Sequence, residues 1–306
     1  MNNFLSIKAL NKEEILEVIN KTDAFAKEID FGDPLNDLQN KIVALLFYEP
    51  STRTFSSFAS AVKRLGGQTL EFQNPLQTSS AVKGETLEDT VRVLENYADC
   101  IVIRHPEIGT AKKVADAVNI PVINAGDGSG EHPTQALQDL YTIYSQTGRL
   151  TGIKGLIVGD VLNGRTVHSL LDGLSLFENN IVYILAPETL RFTPEMKAKY
   201  EQNRLEIHEI NTTDDIPPDC QFWYWTRVQK ERFNNLEEYE SLKLSFILTK
   251  ELLSKKGNNE MIIMHPLPRV GEIELVVDDD PRAIYLTKQI KNGLYTRMTL
   301  LRMLLE

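Results

Sequence analysis

The sequence predicts an α/β fold of two domains, each a parallel β-sheet covered by helices, with the active site in the cleft between them. Length is the first reason: 306 residues exceed what one ordinary hydrophobic core fills and suit two. The second is a recurrence of short apolar runs, at Ile42 to Tyr48, Cys100 to Ile103, Pro121 to Ile123, Leu156 to Val158, Ile181 to Leu185, Phe222 to Trp225 and Met261 to Met264. The third is what separates them. Stretches of helical period alternate with the runs, as in sheets whose strands are buried on both faces.

The elements follow in order. Behind the first run, Phe55, Phe58, Ala59, Val62 and Leu65 recur at helical spacing, and Gly66-Gly67 stops that helix. The stretch from Pro133 to Gln146 has no internal breaker, and Gly148 marks its end. It separates the earlier strands from the later ones. Residues 1–134, joined by a C-terminal helix at about 288–306, are therefore expected to form one domain and residues 150–287 the other, with 135–149 as the connecting helix. The last helix presents Leu294, Met298, Leu301 and Leu305 on one side.

Composition narrows the function. Hydrophobic residues at 42% and charged residues at 25% describe an ordinary globular chain. A formal charge of -10 opposes bulk affinity for nucleic acid or an anionic membrane, so any anion must be captured by a local cluster of cations. The only cysteines, Cys100 and Cys220, lie far apart without metal-type spacing, which points to neither a disulfide nor a metal site. The start, Met1-Asn2-Asn3-Phe4-Leu5, lacks a basic region followed by an apolar core, and a cytoplasmic location is expected.

Ligands of open parallel sheets bind beyond the carboxyl ends of the strands, so the residues after each run are the first candidates. After Tyr48 come Pro50-Ser51-Thr52-Arg53-Thr54, a set of hydroxyls, backbone N–H groups and a guanidinium at a helix start. That chemistry suits a phosphate, although Ser51 or Thr52 acting only as a helix cap, with Arg53 solvated, fits the local residues equally well. Arg104-His105-Pro106 follow the next run, and His132-Pro133-Thr134-Gln135 the one after, so Arg104, His132 and Gln135 could converge with Arg53. Gly159-Asp160-Val161-Leu162-Asn163-Gly164-Arg165-Thr166 nearly matches a nucleotide-phosphate loop, but Arg165 replaces the lysine. An arginine there suits a carboxylate, which it can hold with two parallel bonds. Arg227 and Gln229, two residues apart past Trp225, offer a second carboxylate clamp. The two prolines of His265-Pro266-Leu267-Pro268-Arg269 stiffen a turn whose carbonyls could face a ligand. In the polar loop from Gln77 to Glu85, Lys83 by itself has no assigned role.

Taken together and in order, Ser51-Thr52-Arg53-Thr54, Arg104-His105-Pro106, His132-Pro133-Thr134-Gln135, Gly164 to Leu170, Thr226-Arg227-Val228-Gln229 and His265 to Arg269 resemble the motif series of the aspartate carbamoyltransferase family. The resemblance covers residues 41–269 and extends more weakly to both ends. It implies transfer of the carbamoyl group of carbamoyl phosphate to L-aspartate, an early step of pyrimidine synthesis, with no metal and no cofactor. By matching positions it implies that Ser51, Thr52, Arg53, Thr54 and Arg104 bind the phosphate, and that Thr54, Arg104 and His132 reach the carbonyl oxygen. It implies that Gln135 and the carbonyls of Pro266 and Leu267, with Pro268 beside them, hold the carbamoyl nitrogen. Arg165, Arg227 and Gln229 are implied to take the aspartate carboxylates, with Lys83 and Leu267 also on the aspartate side. Ser79 and Lys83 are implied to arrive from a neighbouring chain of a homotrimer. Holding both substrates together should make a compound that joins a phosphonate to an aspartate-like dicarboxylate bind far more tightly than aspartate.

Two positions depart from the family pattern. Phe55 and Ala59 stand four apart on one helix where the family usually carries Arg and Glu. Both members of that ion pair are replaced together, so an apolar contact is expected in its place, with no charge left unpaired. The departure motivates one rival reading, a non-catalytic homologue that binds carbamoyl phosphate. Another rival is ornithine carbamoyl transfer, whose enzymes typically have His-Cys-Leu-Pro where this chain has His265-Pro266-Leu267-Pro268. A third, nucleotide hydrolysis at Gly159 to Thr166, would show as ATP binding that depends on Arg165.

Overall fold

The computed structural model describes residues 2–29, 35–75, 84–230, 233 and 235–306. The chain divides into two compact units, Met1–Gln138 with Lys291–Glu306, and Asp139–Ile290. Ser79 and Lys83 lie outside the described residues.

In the first unit the order is α1 (Lys12–Ile29), β1 (Ile42–Phe47), α2 (Thr52–Arg64), β2 (Gln68–Gln73), α3 (Leu87–Leu94), β3 (Cys100–His105), α4 (Thr110–Ala117) and β4 (Val122–Asp127), and α5 (Pro133–Thr147) begins here. The four strands form one sheet in the order β2-β1-β3-β4, and every pairing is parallel. The register sets Phe47 beside Arg104, and the Tyr48 N–H donates to the Arg104 carbonyl at 2.8 Å, so the ends of β1 and β3 open at one place. Helix α2 ends as its residues require: Gly66 takes φ +80, and the backbone N–H of Gly67 returns to the Val62 carbonyl.

The second unit continues with β5 (Lys154–Val158), α6 (Arg165–Leu174), β6 (Asn180–Leu185), α7 (Pro194–Gln202), β7 (Leu205–Ile210), β8 (Phe222–Trp225), α8 (Leu236–Leu242), α9 (Lys250–Lys256) and β9 (Ile262–Met264). Its sheet is also parallel throughout, in the order β7-β6-β5-β8-β9. The aromatic run Phe222-Trp223-Tyr224-Trp225 is wholly buried, with Trp223 and Trp225 in a core with Leu156, Val158, Met261 and Ile263 around their strands.

Two strands escape a search for continuous apolar runs. β2, Gln-Thr-Leu-Glu-Phe-Gln, and β7, Leu-Glu-Ile-His-Glu-Ile, are both edge strands, and their polar residues alternate with apolar ones because only one face is covered. The last helix, α10 (Lys288–Leu305), also differs from a single apolar stripe. Residues Tyr295 through Leu301 are all buried, polar ones included, and Leu294 and Leu305 are only partly covered. A helix enclosed on several sides loses its amphipathic stripe.

Candidate functional site

In the first unit the chain leaves β1 through Tyr48-Glu49-Pro50 and enters α2 with Ser51 as its N-cap. The Ser51 side chain makes no capping bond to the helix, so the hydroxyl is not spent in the way that a plain cap would spend it. Thr52 and Arg53 are exposed, whereas Thr54 turns inward and is buried. Directly behind, the Phe55 ring meets Phe47 edge to face, with centroids 5.2 Å apart and an interplanar angle of 88°. The helix is thus seated on the last residue of β1 by an aromatic contact, and neither Phe55 nor Ala59 leaves a charge inside.

Arg104, at the end of β3, is 6% exposed. Its guanidinium pairs with Glu49 at 3.1 Å, donates to the Ala125 carbonyl at 3.2 Å and approaches His132 Nε2 at 3.5 Å, while Nε has no hydrogen-bond partner among the described residues. Thr54 Oγ1 lies 3.4 Å from the same His132 nitrogen. Three residues from three separate segments therefore meet around one imidazole edge. On the other side of the ring, Nδ1 lies 3.5 Å from Thr134 Oγ1. Gln135 follows on the first turn of α5, buried, with its backbone N–H bonded to the His132 carbonyl at 2.9 Å.

The loop that delivers His132 is held by close backbone approach. A Cβ on Gly128, which has φ +54, would sit 2.0 Å from the Pro106 carbonyl oxygen. Asp127 accepts from the N–H groups of Gly109 and Glu131, tying the loops after β3 and β4 together. His105 belongs to this scaffold: its Nδ1 accepts from the Glu107 N–H at 3.0 Å, and burial leads the influences that lower its proton affinity.

In the second unit the loop after β5 and the loop after β8 are in contact. Gly159 takes φ +118, and a Cβ there would lie 2.1 Å from the Thr226 carbonyl oxygen. Gln229 donates its side-chain amide to the Asn163 carbonyl at 2.8 Å, and its backbone N–H to Asp160 at 3.4 Å. Asp160 also accepts from Asn163, and burial pushes its carboxyl above the usual range. Arg165, the first residue of α6, and Arg227 are both partly exposed on these two joined loops. The structure thus brings Arg165, Arg227 and Gln229 into one neighbourhood, with the Gln229 amide turned toward the loop carrying Arg165.

The turn after β9 is built by His265. Its Nδ1 accepts from the Leu267 N–H at 2.7 Å, so Nε2 holds the ring proton and donates to Glu272 at 2.6 Å. Leu267 has φ +57 and a cis bond to Pro268, and Pro266, Leu267 and Pro268 remain partly or fully exposed. Burial pushes the Glu272 carboxyl up, but the hydrogen bond from His265 leads the opposing effects and holds it below the usual range. A depressed folded value contributes stability above the unfolded value of about 4.3, which is lost as pH falls through the folded value. Glu272→Gln is therefore expected to melt lower than the parent at neutral pH, with the gap closing as pH falls below about 4. Melting curves across that range check it; a gap independent of pH would refute the role of the charge.

Sequence reasoning missed Glu49, although its place beside Pro50 at the end of an apolar run was a signal. It also missed Asp160, buried among loop amides. Among the described residues, no helix is long and apolar enough to cross a membrane.

Comparisons with known proteins bear on both halves. Residues 2–145 match the family described as aspartate/ornithine carbamoyltransferase, carbamoyl-P binding domain. Residues 151–304 match its Asp/Orn binding domain. The chain belongs to the aspartate/ornithine carbamoyltransferase family. Within that family it is 45% identical to the aspartate carbamoyltransferase catalytic subunit of Methanocaldococcus jannaschii, covering 100% of this chain and 98% of the relative. It is 50% identical to the chloroplastic aspartate carbamoyltransferase of Arabidopsis thaliana over 88% of this chain and 68% of that one. Among solved structures, the M. jannaschii catalytic subunit superposes with a TM-score of 0.92 at 45% identity, covering 99% of this chain and 98% of that chain. The Trypanosoma cruzi aspartate transcarbamoylase in complex with carbamoyl phosphate superposes at 0.91 with 36% identity, covering 100% of this chain and 97% of that chain.

Proposed function

We propose that this chain transfers the carbamoyl group of carbamoyl phosphate to the amino group of L-aspartate, giving N-carbamoyl-L-aspartate and phosphate in de novo pyrimidine biosynthesis. The observation that carries the reading is the meeting of Arg104, Thr54 and His132 behind the Ser51–Arg53 helix start. In this reading Ser51, Thr52, Arg53 and Arg104 hold the phosphate, and Thr54, Arg104 and His132 face the carbonyl oxygen, where negative charge grows as the amine attacks. Arg104 is suited to both tasks, since its fork can serve two acceptors at once. The substrate phosphate competes with Glu49 for it. Donation from His132 to the carbonyl oxygen through Nε2 requires the ring proton to sit on that nitrogen.

Gln135 and the carbonyls of Pro266 and Leu267 are assigned to the carbamoyl nitrogen, and Arg165, Arg227 and Gln229 to the aspartate carboxylates. Two dianions must approach one another, so the clustered guanidiniums offset a repulsion that the acidic protein would otherwise increase. The neutral amine nitrogen then attacks the carbonyl carbon, the bond to the phosphate oxygen breaks and phosphate departs, carrying overall the one proton that the amine gives up. The assembly proposed is a homotrimer in the cytoplasm, with Ser79 and Lys83 of a neighbouring chain completing each site; family resemblance supports it and mass measurement in solution tests it.

Carbamoylation of aspartate and of ornithine by the purified chain, measured side by side, tests the reaction. Aspartate is expected to be consumed and ornithine left untouched. Turnover of ornithine alone, or of neither amino acid despite carbamoyl phosphate binding, would reject the proposal.

A further inference from the structure

The second unit holds a buried carboxylate that none of the assignments above uses. Asp139, on α5, is fully buried, as are Tyr224 of β8 and Gln289 of α10. Tyr224 Oη donates to one Asp139 oxygen at 3.0 Å, and Gln289 Nε2 donates to the other at 2.8 Å. The Gln289 side-chain oxygen in turn accepts from the His265 backbone N–H at 3.0 Å. On its other side the Tyr224 hydroxyl has the Thr166 side chain, of the residue after Arg165, as a polar neighbour that lowers the proton affinity of the phenol.

One connected chain of hydrogen bonds thus runs from Tyr224 of β8 through Asp139 and Gln289 to His265, which opens the Pro266-Leu267 turn, with the start of α6 beside Tyr224. Tyr224 also stands three residues before Arg227. We infer that Asp139, with Tyr224 and Gln289, is a positioning unit for the aspartate half of the site: it sets the Arg165 helix start, the Arg227 loop and the Pro266-Leu267 turn relative to one another. The inference rests on the proposed aspartate site.

The physical case has three parts. A buried carboxylate is costly unless its oxygens are hydrogen-bonded, and both Asp139 oxygens accept a bond from a buried side chain. Each link has a fixed direction. Asp139 only accepts, which makes Tyr224 and the Gln289 amide donors and leaves the Gln289 oxygen for the His265 N–H. The order therefore allows one arrangement of the amide, and a flipped amide would break two links. Burial leads the effects that push the Tyr224 phenol well above its ordinary value, and the Asp139 charge adds to them, so the hydroxyl keeps its proton to donate. Such networks, when every member is satisfied, specify one arrangement of the loops they join.

Charge relocation along the chain provides the test. Asp139→Asn turns an amide N–H against one of the two groups that donate to Asp139, the Gln289 amide or the Tyr224 hydroxyl, and breaks the pattern of donation in either orientation. Gln289→Glu alone sets two carboxylates against each other. Together they restore the pattern, because the new amide at 139 donates to the new carboxylate at 289, which still accepts from His265. Each single change is expected to raise the KM for aspartate by about tenfold, the effect of one mispaired buried polar group, with a smaller rise in the KM for carbamoyl phosphate, whose nitrogen the Pro266 and Leu267 carbonyls are assigned to hold. The double variant is expected to recover most of that loss. Tyr224→Phe, which keeps the packing, should move the aspartate KM in the same direction.

A merely structural role would lower the melting temperature and the active fraction while leaving the aspartate KM unchanged, and that result, or additive single effects in the double variant, overturns the inference. Hydrogen exchange at the His265 amide is read on the same four proteins. If the parent chain fails to carbamoylate aspartate, the functional proposal falls by itself. Exchange that is faster in the single variants and restored in the double would then show the network intact. Unchanged exchange would remove it as well.

Discussion

Replacing Arg104 with alanine is expected to lower carbamoyl transfer by about a hundredfold to a thousandfold, the usual consequence of removing one preorganised donor from the place where transition-state charge develops. The residue is buried at the end of β3 and contributes its guanidinium to the cluster with Thr54 and His132. Solvent cannot substitute fully for a donor lost from so enclosed a position. Glu49, which pairs with it at 3.1 Å, is left without that partner and adds repulsion toward an incoming phosphate. The KM for carbamoyl phosphate should therefore rise as well as turnover fall. Arg104→Lys should recover only part, because an ammonium cannot hold two acceptors in one plane. Steady-state kinetics with carbamoyl phosphate varied at saturating aspartate decide the matter, and turnover near the parent value in a folded Arg104→Ala protein would remove Arg104 from the reaction.

Arg227→Ala is expected to raise the KM for aspartate by about a hundredfold, as when one partner of a charge-assisted carboxylate clamp is truncated. The residue sits on the loop after β8, and that loop is fastened to the Arg165 loop through Gln229, Asn163 and Asp160. Removing the Arg227 side chain leaves these backbone links in place. The defect should therefore be confined to the amino acid substrate, with the carbamoyl phosphate KM close to the parent value. A rise in both constants together would place Arg227 elsewhere in the chemistry. No change in either would return it to the role of an exposed loop arginine.

The candidate site was legible to unequal degrees. Strand ends announced themselves because parallel strands buried on both faces must be apolar throughout, and the polar residues that follow them stand out. Arg104, His132, Arg165 and Arg227 were found in that way. Edge strands β2 and β7 were not, since a strand covered on one side alternates and resembles many surface segments. Phe55 and Ala59 could be read as a joint loss of an ion pair. That Phe55 packs on Phe47 of the preceding strand, and so seats α2, needed coordinates.

What the sequence by itself determined was the fold class, two parallel-sheet units, together with the candidates for the site: hydroxyls and a guanidinium at a helix start, and further guanidiniums past the strand ends. Local residue types carry that information because propensity, patterning and charge act over a few positions. Tertiary structure alone decided which polar groups satisfy one another. Glu49 on Arg104, Glu272 on His265, and Asp139 between Tyr224 and Gln289 join residues whose partners cannot be found by periodicity, since a buried polar group is specified by the direction and distance of its partner and not by its neighbours in the chain.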